Sequence, residues 1–297
     1  MKIEFFNRYT GRVETEAVYG DSWVRFAYGN PFGRLALHAL VKRAWFSRWY
    51  GWRMNRPASR AKVQPFIARY GLDPAEFAEP ADSFQTFNEF FFRRLRPEAR
   101  PVDPAPDAAV FPADGRHLGF PDLAAVDGIF VKGAVFGLAA LLRDPELAAR
   151  FRQGAMVISR LCPVDYHRFH FPVDGIPDTP RLLNGPLYSV NPVALRQNIH
   201  IFTENKRCLG RIESPQFGLV LMLEVGATCV GGIDYTFAPG RPVARGAEKG
   251  FFRFGGSSLI TLFEPGRMQL ANDLVEQTRA GRELYARMGD RLGSVSG

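Results

Sequence analysis

Beyond about residue 100 the chain is written in short β-type runs, such as Ala155 to Ser159, Gly218 to Val225 and Ser258 to Phe263, separated by glycine- and proline-rich turns. Runs this short, rich in branched and aromatic residues and closed by turn formers, build strands and favour antiparallel pairing over helices. One helical segment near Leu138 to Phe151 interrupts them, and the tail from Asn272 to Leu292 has helical spacing with Leu274, Thr278 and Leu284 among its candidate buried positions. The expected fold class is α+β: a β-rich body of antiparallel sheets with a basic, aromatic, helical N-terminal region.

That N-terminal region is marked by charge. Between Asp21 and Asp73 there is no acidic residue, whereas Arg25, Arg34, Lys42, Arg43, Arg48, Arg53, Arg56, Arg60, Lys62 and Arg69 all fall there. The net charge of +8 predicts attraction to something anionic, and this local excess says where. The same window holds all four tryptophans, Trp23, Trp45, Trp49 and Trp52, the last three at i, i+4, i+7 spacing on one helical face. Such a helix suits the headgroup layer of a membrane, with indoles at the lipid boundary and Arg/Lys on phosphates. The competing reading is a core-packing helix with solvated charges. A nucleic-acid role is weaker, because no binding motif accompanies the patch.

A content of 46% hydrophobic residues in 297 marks a globular chain with room for a sizeable core. Cys162, Cys208 and Cys229 are odd in number and set among apolar residues, which predicts buried thiols in a reducing compartment. The start, MKIEFFNRYTGRVETE, lacks the apolar core of a secretory signal, and no uninterrupted apolar stretch reaches the length of a spanning helix. A cytoplasm-facing protein is expected. From Phe66 to about Arg96 the pattern is largely helical, with Asp82 or Ser83 as the cap of FQTFNEFFFRRL and Pro97 closing it. PEARPVDPAPDAAVFPADG then reads as an extended connection, so a boundary near residue 100 separates a helical region, 1–100, from a body, 101–297.

Three constellations could carry chemistry. His167 and His170 stand together in LCPVDYHRFHFPVDG. Three residues apart they share a face on a helix and oppose each other on a strand, and Pro163 and Pro172 argue for a loop or strand edge. Two separate roles are then as admissible as one shared role. Zinc is disfavoured, since no companion ligand stands at a convincing spacing and Cys162 is a lone candidate. In FRFGGSSLITLF, Gly255, Gly256, Ser257 and Ser258 interrupt a strand-like run, which alone is ordinary turn chemistry. It is neither a G-x-S-x-G elbow nor a phosphate-binding loop. In FPADG, Asp114 is either a turn cap or a carboxylate that orients a histidine.

Read together and in order, these motifs resemble the phosphatidylserine decarboxylase family along nearly the whole chain. FNEFFFRRLRPEARPVD looks like the segment before the family's catalytic body, FPADG like its aspartate motif, VKGAVFGLAALL like its Lys-Gly segment and CPVDYHRFHFPVDG like its Tyr-His-Arg-x-His motif. LYSVNPVAL, IFTENKR and VGATCVGGI follow in family order before FRFGGSSLITLF at the processing site. Most members carry Leu-Gly-Ser-Thr or Gly-Gly-Ser-Thr/Ser there, so Gly256-Ser257-Ser258 is similar to an accepted form with Ser for the commoner Thr. The first 60 or so residues match in character only.

The resemblance implies self-processing. Ser257 Oγ would attack the Gly256 carbonyl, and elimination would leave chains 1–256 (β) and 257–297 (α), the latter opening with a pyruvoyl group made from Ser257. Decarboxylating an α-amino acid needs an electron sink conjugated to the amine, which that ketone supplies without pyridoxal phosphate. The resemblance further implies His170, oriented by Asp114, as base for cleavage, and His167 in decarboxylation and protonation of the product. The implied substrate is phosphatidylserine and the product phosphatidylethanolamine. The implied partners are an anionic membrane surface, bound peripherally on the cytoplasmic side of the cell membrane, and the two cleaved chains as a heterodimer, with no nucleic acid and no metal. The alternatives are a pyruvoyl decarboxylase for another phosphorylated amino-acid derivative, a non-processing membrane-binding paralogue, and a serine hydrolase using Ser257.

Overall fold

The structure is a computed structural model and describes residues 3–16, 44–124, 137–188, 200–226, 232–255 and 257–296. Ten strands among them form one sheet. Across it run Arg12–Thr15, Glu4–Asn7, Glu283–Ala286, Gly115–Phe120, Ala155–Leu161, Ser257–Phe263, Gly218–Gly226 and Arg207–Ser214, with Ile176–Pro177 and Arg181–Leu183 both on the last. Every pairing is antiparallel except that of Glu4–Asn7 with Glu283–Ala286. Two three-stranded sheets complete the body, one of Ile233–Tyr235, Glu248–Phe252 and Arg168–His170, the other of Met268–Leu270, Arg291–Val295 and Ala108–Val110. The fold is α+β with antiparallel pairing dominant, as expected.

The Ser257–Phe263 strand lies centrally, with Ser257 opposite Leu161 on one side and Gly226 on the other. All seven of its residues are buried, because both faces of the sheet are covered. Leu259 and Phe263 pack with Phe169, Phe171 and Phe252 of the small sheet. Ile260 and Leu262 turn the other way onto Leu141, Leu142, Phe151 and Phe202. Strand alternation therefore sends the Ser257 side chain toward the sheet that carries the histidine motif. A third core, built on Met54, Phe66, Phe87, Phe90, Phe91 and Phe254, ties the helical segment to the chain just before Ser257.

The helical expectations are met in part. A helix spans Ala44–Met54, with Trp49 and Trp52 exposed (44% and 53%) and Met54 buried. Arg53 lies over the Trp49 ring and Arg56 over that of Trp52. Trp23 and the Trp45 side chain lie outside the described residues. Residues 66–96 are less helical than the pattern predicts. Val63–Tyr70 ends at Gly71, whose φ of 60° is the left-handed cap conformation. The next α-helix is only Phe87–Phe91. Its cap is Thr86, not Asp82 or Ser83: the Thr86 hydroxyl accepts the Glu89 N–H at 3.1 Å, and the Glu89 carboxylate reaches back to the Gln85 N–H at 2.7 Å. Phe87, Phe90 and Phe91 are buried as one stripe. The helix then stops, and Leu95 bridges to Phe77.

The segment near 138–151 is two helices, Leu138–Leu142 and Pro145–Arg150, broken at Arg143 (φ 47°). Asp144 caps the second through the Leu147 N–H at 3.1 Å, and a residue before proline disfavours helical backbone. The tail is helical only over Asn272–Arg279. Gly281 (φ 70°) turns the chain into the strands Glu283–Ala286 and Arg291–Val295, so Leu284 is buried as a strand residue. The hairpin Glu4–Thr15 adds two strands where helix was expected from the character of the N-terminal residues. Cys162 is buried, Cys208 is half-buried, and Cys229 lies outside the described residues.

Candidate active site

Ser257 opens the central strand and is fully buried, and its Oγ has no hydrogen-bond partner among the described residues. Gly256 lies outside the described residues, as do most of LYSVNPVAL, VGATCVGGI and the first part of VKGAVFGLAALL. The chain entering this point is held from the helical side. The Phe254 amide donates to Asn88 Oδ1 at 2.9 Å, and the Phe254 ring packs on Phe87 and Phe91 with centroids 5.3 and 4.7 Å away. Gly255 has φ 144°, a backbone conformation that side chains disfavour, so glycine is required there.

The two histidines have separate surroundings, the outcome expected of a strand. His167 precedes the strand Arg168–His170 and is fully buried, its ring 3.9 Å from that of Phe91 by centroid. Its Nδ1 meets the Asp165 carbonyl oxygen at 3.0 Å. A carbonyl can only accept, so the neutral ring carries its proton on Nδ1 and leaves Nε2 as a free acceptor. Nε2 is buried and makes no hydrogen bond within ordinary geometry among the described residues, although the Gly255 backbone stands close to the ring. Burial lowers the His167 pKa to about 3, against the opposing influence of the Asp165 and Gly255 backbones. The ring thus stands beside the residue two before Ser257.

His170 is also buried, and burial lowers its pKa to about 4 against the charges of Glu248 and Asp114. It forms part of the wall of a cavity of about 340 Å³, together with Tyr166, Arg94, Arg96, Arg100 and Glu248. Both imidazoles are therefore neutral at physiological pH and able to accept a proton.

Asp114 lies at the turn before the strand Gly115–Phe120 and is 2% exposed. Its carboxylate is engaged by Arg100, through Nε at 2.9 Å and Nη2 at 2.6 Å, and by the Met288 amide at 2.9 Å. No hydrogen bond joins it to His170 among the described residues. Its action on that ring is electrostatic, because Arg100 occupies the carboxylate. The orientation of His170 by Asp114 that the family resemblance implies is therefore not carried by a direct hydrogen bond among the described residues.

Beneath the motif lies a buried ion network. Arg116 Nη1 meets Asp165 Oδ1 at 2.6 Å, and Asp165 Oδ2 accepts the Cys162 amide at 2.6 Å, which fixes the turn carrying His167. Arg160 bridges Glu16 and Glu283, with Nη2 at 2.6 and 2.5 Å from their carboxylates. Burial alone would raise Glu16, but Arg160 and then Arg116 hold it at about 2. The sequence motifs contain Asn88, Arg100 and Asp165 without marking them as site residues, and Phe91 is marked there only as part of an apolar helical stripe. The only signal was polar or charged residues inside otherwise apolar motifs, and their partners lie far along the chain.

Comparison with known proteins falls on the same residues. A family model described as phosphatidylserine decarboxylase matches residues 87–294. A phosphatidylserine decarboxylase proenzyme of Fusobacterium nucleatum is 42% identical over 293 residues, covering 99% of this chain and 98% of that protein. One from Desulfitobacterium hafniense is 41% identical over 291 residues, covering 98% of each. One from Chlamydia trachomatis is 44% identical over 289 residues, covering 97% of this chain and 96% of that protein. With the match running from end to end and through every segment gathered around Ser257, the chain belongs to the phosphatidylserine decarboxylase family, a family of lyases.

Proposed function

We propose that the protein is made as a proenzyme, splits itself between Gly256 and Ser257, and then decarboxylates phosphatidylserine to phosphatidylethanolamine. The observation that carries this reading is Ser257 itself: a buried nucleophile with an unpartnered Oγ at the head of the central strand, next to a chain segment held by Asn88 and Phe91. A buried hydroxyl without a partner costs stability, a cost that Ser258 and Thr261 of the same strand share, and of the three only Ser257 directly follows the glycine pair. The relatives' description as proenzymes agrees with a processed chain.

In the proposed step Ser257 Oγ adds to the Gly256 carbonyl carbon and the peptide nitrogen leaves, giving an ester. Loss of the Ser257 Cα proton expels Gly256 as a carboxylate. Hydrolysis of the remaining enamine releases ammonia and leaves residue 257 as a pyruvoyl group. That ketone supplies the electron sink for loss of CO2 from the substrate. His170, under the charge of Asp114, takes the hydroxyl proton, and His167 handles protons at the substrate Cα through its free Nε2. Burial keeps His167 neutral, and the phenyl ring of Phe91 and the Asp165 carbonyl orient it.

The split chains would remain together, since the strand Ser257–Phe263 pairs on both sides with strands of the other chain and Arg160 grips Glu283. The exposed Trp49 and Trp52, each beside an arginine, suit peripheral docking on the anionic, cytoplasmic face of the cell membrane. Among the described residues no helix is long and apolar enough to cross a membrane.

Denaturing mass analysis tests the reading. Active protein should yield residues 1–256 and a small chain starting at a modified residue 257 that resists N-terminal sequencing. Ser257→Ala should stay as one 33.3 kDa chain without activity. A single unmodified chain in fully active protein refutes the proposal.

A further inference from the structure

The cavity beside His170 carries charge that the chemistry above does not use. Of the ionic groups in its wall, Arg100 is committed to Asp114 and Glu76, and Glu248 to Arg168. Arg94 and Arg96 have no ion-pair partner among the described residues, and Arg96 spends only its Nε, on the Phe77 carbonyl at 3.1 Å. The cavity is therefore net positive. Beside Tyr166 and His170, the wall has an apolar part with Leu95, Val102 and Met288. A volume of about 340 Å³ is within the range of small-molecule sites.

We propose that this cavity receives the phosphodiester of the lipid headgroup, with Arg94 and Arg96 as its counter-charges and the apolar wall against the glycerol. This rests on the reading of the protein as a decarboxylase of phosphatidylserine. The substrate has two anionic groups, and catalysis decides which should meet the guanidinium groups. A cation on the carboxylate would stabilise the group whose charge is lost on release of CO2, holding the ground state more tightly than the transition state. The phosphodiester keeps its charge throughout, so binding it costs the reaction nothing. The carboxylate is left to the side of His167, which is buried, neutral and not part of the cavity wall that carries Arg94 and Arg96. Substrate recognition and bond breaking are thus divided between the arginines of the cavity and the neutral imidazoles beside it.

The test is the double variant Arg94→Gln/Arg96→Gln, assayed as the processed enzyme in neutral detergent micelles so that adsorption to an anionic surface plays no part. With phosphatidylserine, KM should rise roughly ten- to a hundred-fold, with kcat within about three-fold, for the loss of two charge-assisted contacts. With O-octylserine, which keeps the amine and carboxylate but has no phosphate, the KM of the variant should match that of the parent. Glycerophosphoserine should inhibit the parent and lose potency against the variant, while inorganic phosphate at equal concentration should not inhibit. The lysine pair, Arg94→Lys/Arg96→Lys, should recover part of the affinity. An unchanged KM for phosphatidylserine, or an equal rise for both substrates, overturns the inference. Inhibition by inorganic phosphate as strong as by glycerophosphoserine overturns it in favour of a free-phosphate site. Failure of the parent protein to split or to release CO2 would instead refute the decarboxylase reading.

Discussion

Mild acid should destabilise this protein well above the pH at which carboxylates titrate, because three histidines are buried neutral. His117, His167 and His170 have pKa values lowered by burial to about 3, about 3 and about 4. In the unfolded chain each protonates near pH 6.5. The folded-state value is the depressed one, so between about pH 6.5 and 4 the unfolded state binds more protons, and stability falls as pH falls. Each histidine contributes a slope of about 1.4 kcal/mol per pH unit in that window. From pH 7 to 5 the three together remove about 5 to 6 kcal/mol, comparable to the whole stability of a typical domain. Glu16, held at about 2 by Arg160, adds to the loss once pH falls into the usual carboxylate range, where the unfolded chain takes up a proton and the folded one does not. The assay is guanidinium unfolding of the uncleaved Ser257→Ala chain at pH 7, 6 and 5, followed by circular dichroism. His117 supplies the control. Its nitrogens meet Ser159 Oγ at 2.9 Å and the Ala286 carbonyl at 3.2 Å, away from the proposed chemistry. His117→Gln should lower stability at pH 7 and reduce the pH slope by about a third. Stability that is flat from pH 7 to 5, or a slope untouched by His117→Gln, refutes the reasoning.

Lys249 and Glu224 form an ion pair at 2.6 Å with both side chains essentially unexposed, and Tyr235 also donates to Glu224. Lys249→Met strands the carboxylate and should cost about 3 to 5 kcal/mol, much of it restored by adding Glu224→Gln; thermal melts of the single and double variants decide this. Phe91→Ala should cost about 3 to 5 kcal/mol by cavity formation, and it should also slow chain splitting on a denaturing gel by loosening His167 and Phe254. Trp49→Ala/Trp52→Ala should leave splitting intact while weakening sedimentation with phosphatidylglycerol vesicles by at least about ten-fold, through loss of the interfacial indoles.

Local pattern was enough for much of this protein. The strands Ala155–Leu161, Gly218–Gly226 and Ser257–Phe263 were legible because their branched, apolar runs end at glycine or proline, and the Ala44–Met54 helix because its tryptophans keep helical spacing. The ordered motifs around Asp114, His167, His170 and Ser257 were legible because side-chain chemistry is carried by residue type. Helix ends were misread where a local competitor won: Thr86 over Asp82 as a cap, Asp144-Pro145 dividing one helix into two, and Gly281 turning the tail into strands.

What no stretch of sequence could disclose is which distant groups meet. The hairpin at Glu4–Thr15 owes its place to a parallel pairing with Glu283–Ala286 at the other end of the chain. Asp114 is claimed by Arg100 rather than by His170, the Gly255 backbone stands beside His167, and Arg94 and Arg96 reach the cavity wall with no ion-pair partner among the described residues. Residue types and their order along the chain determined the fold class and the family. Packing alone decided which histidine stands where, which charges cancel and which remain for a ligand, because electrostatic partnership depends on distance and burial in three dimensions and not on separation along the chain.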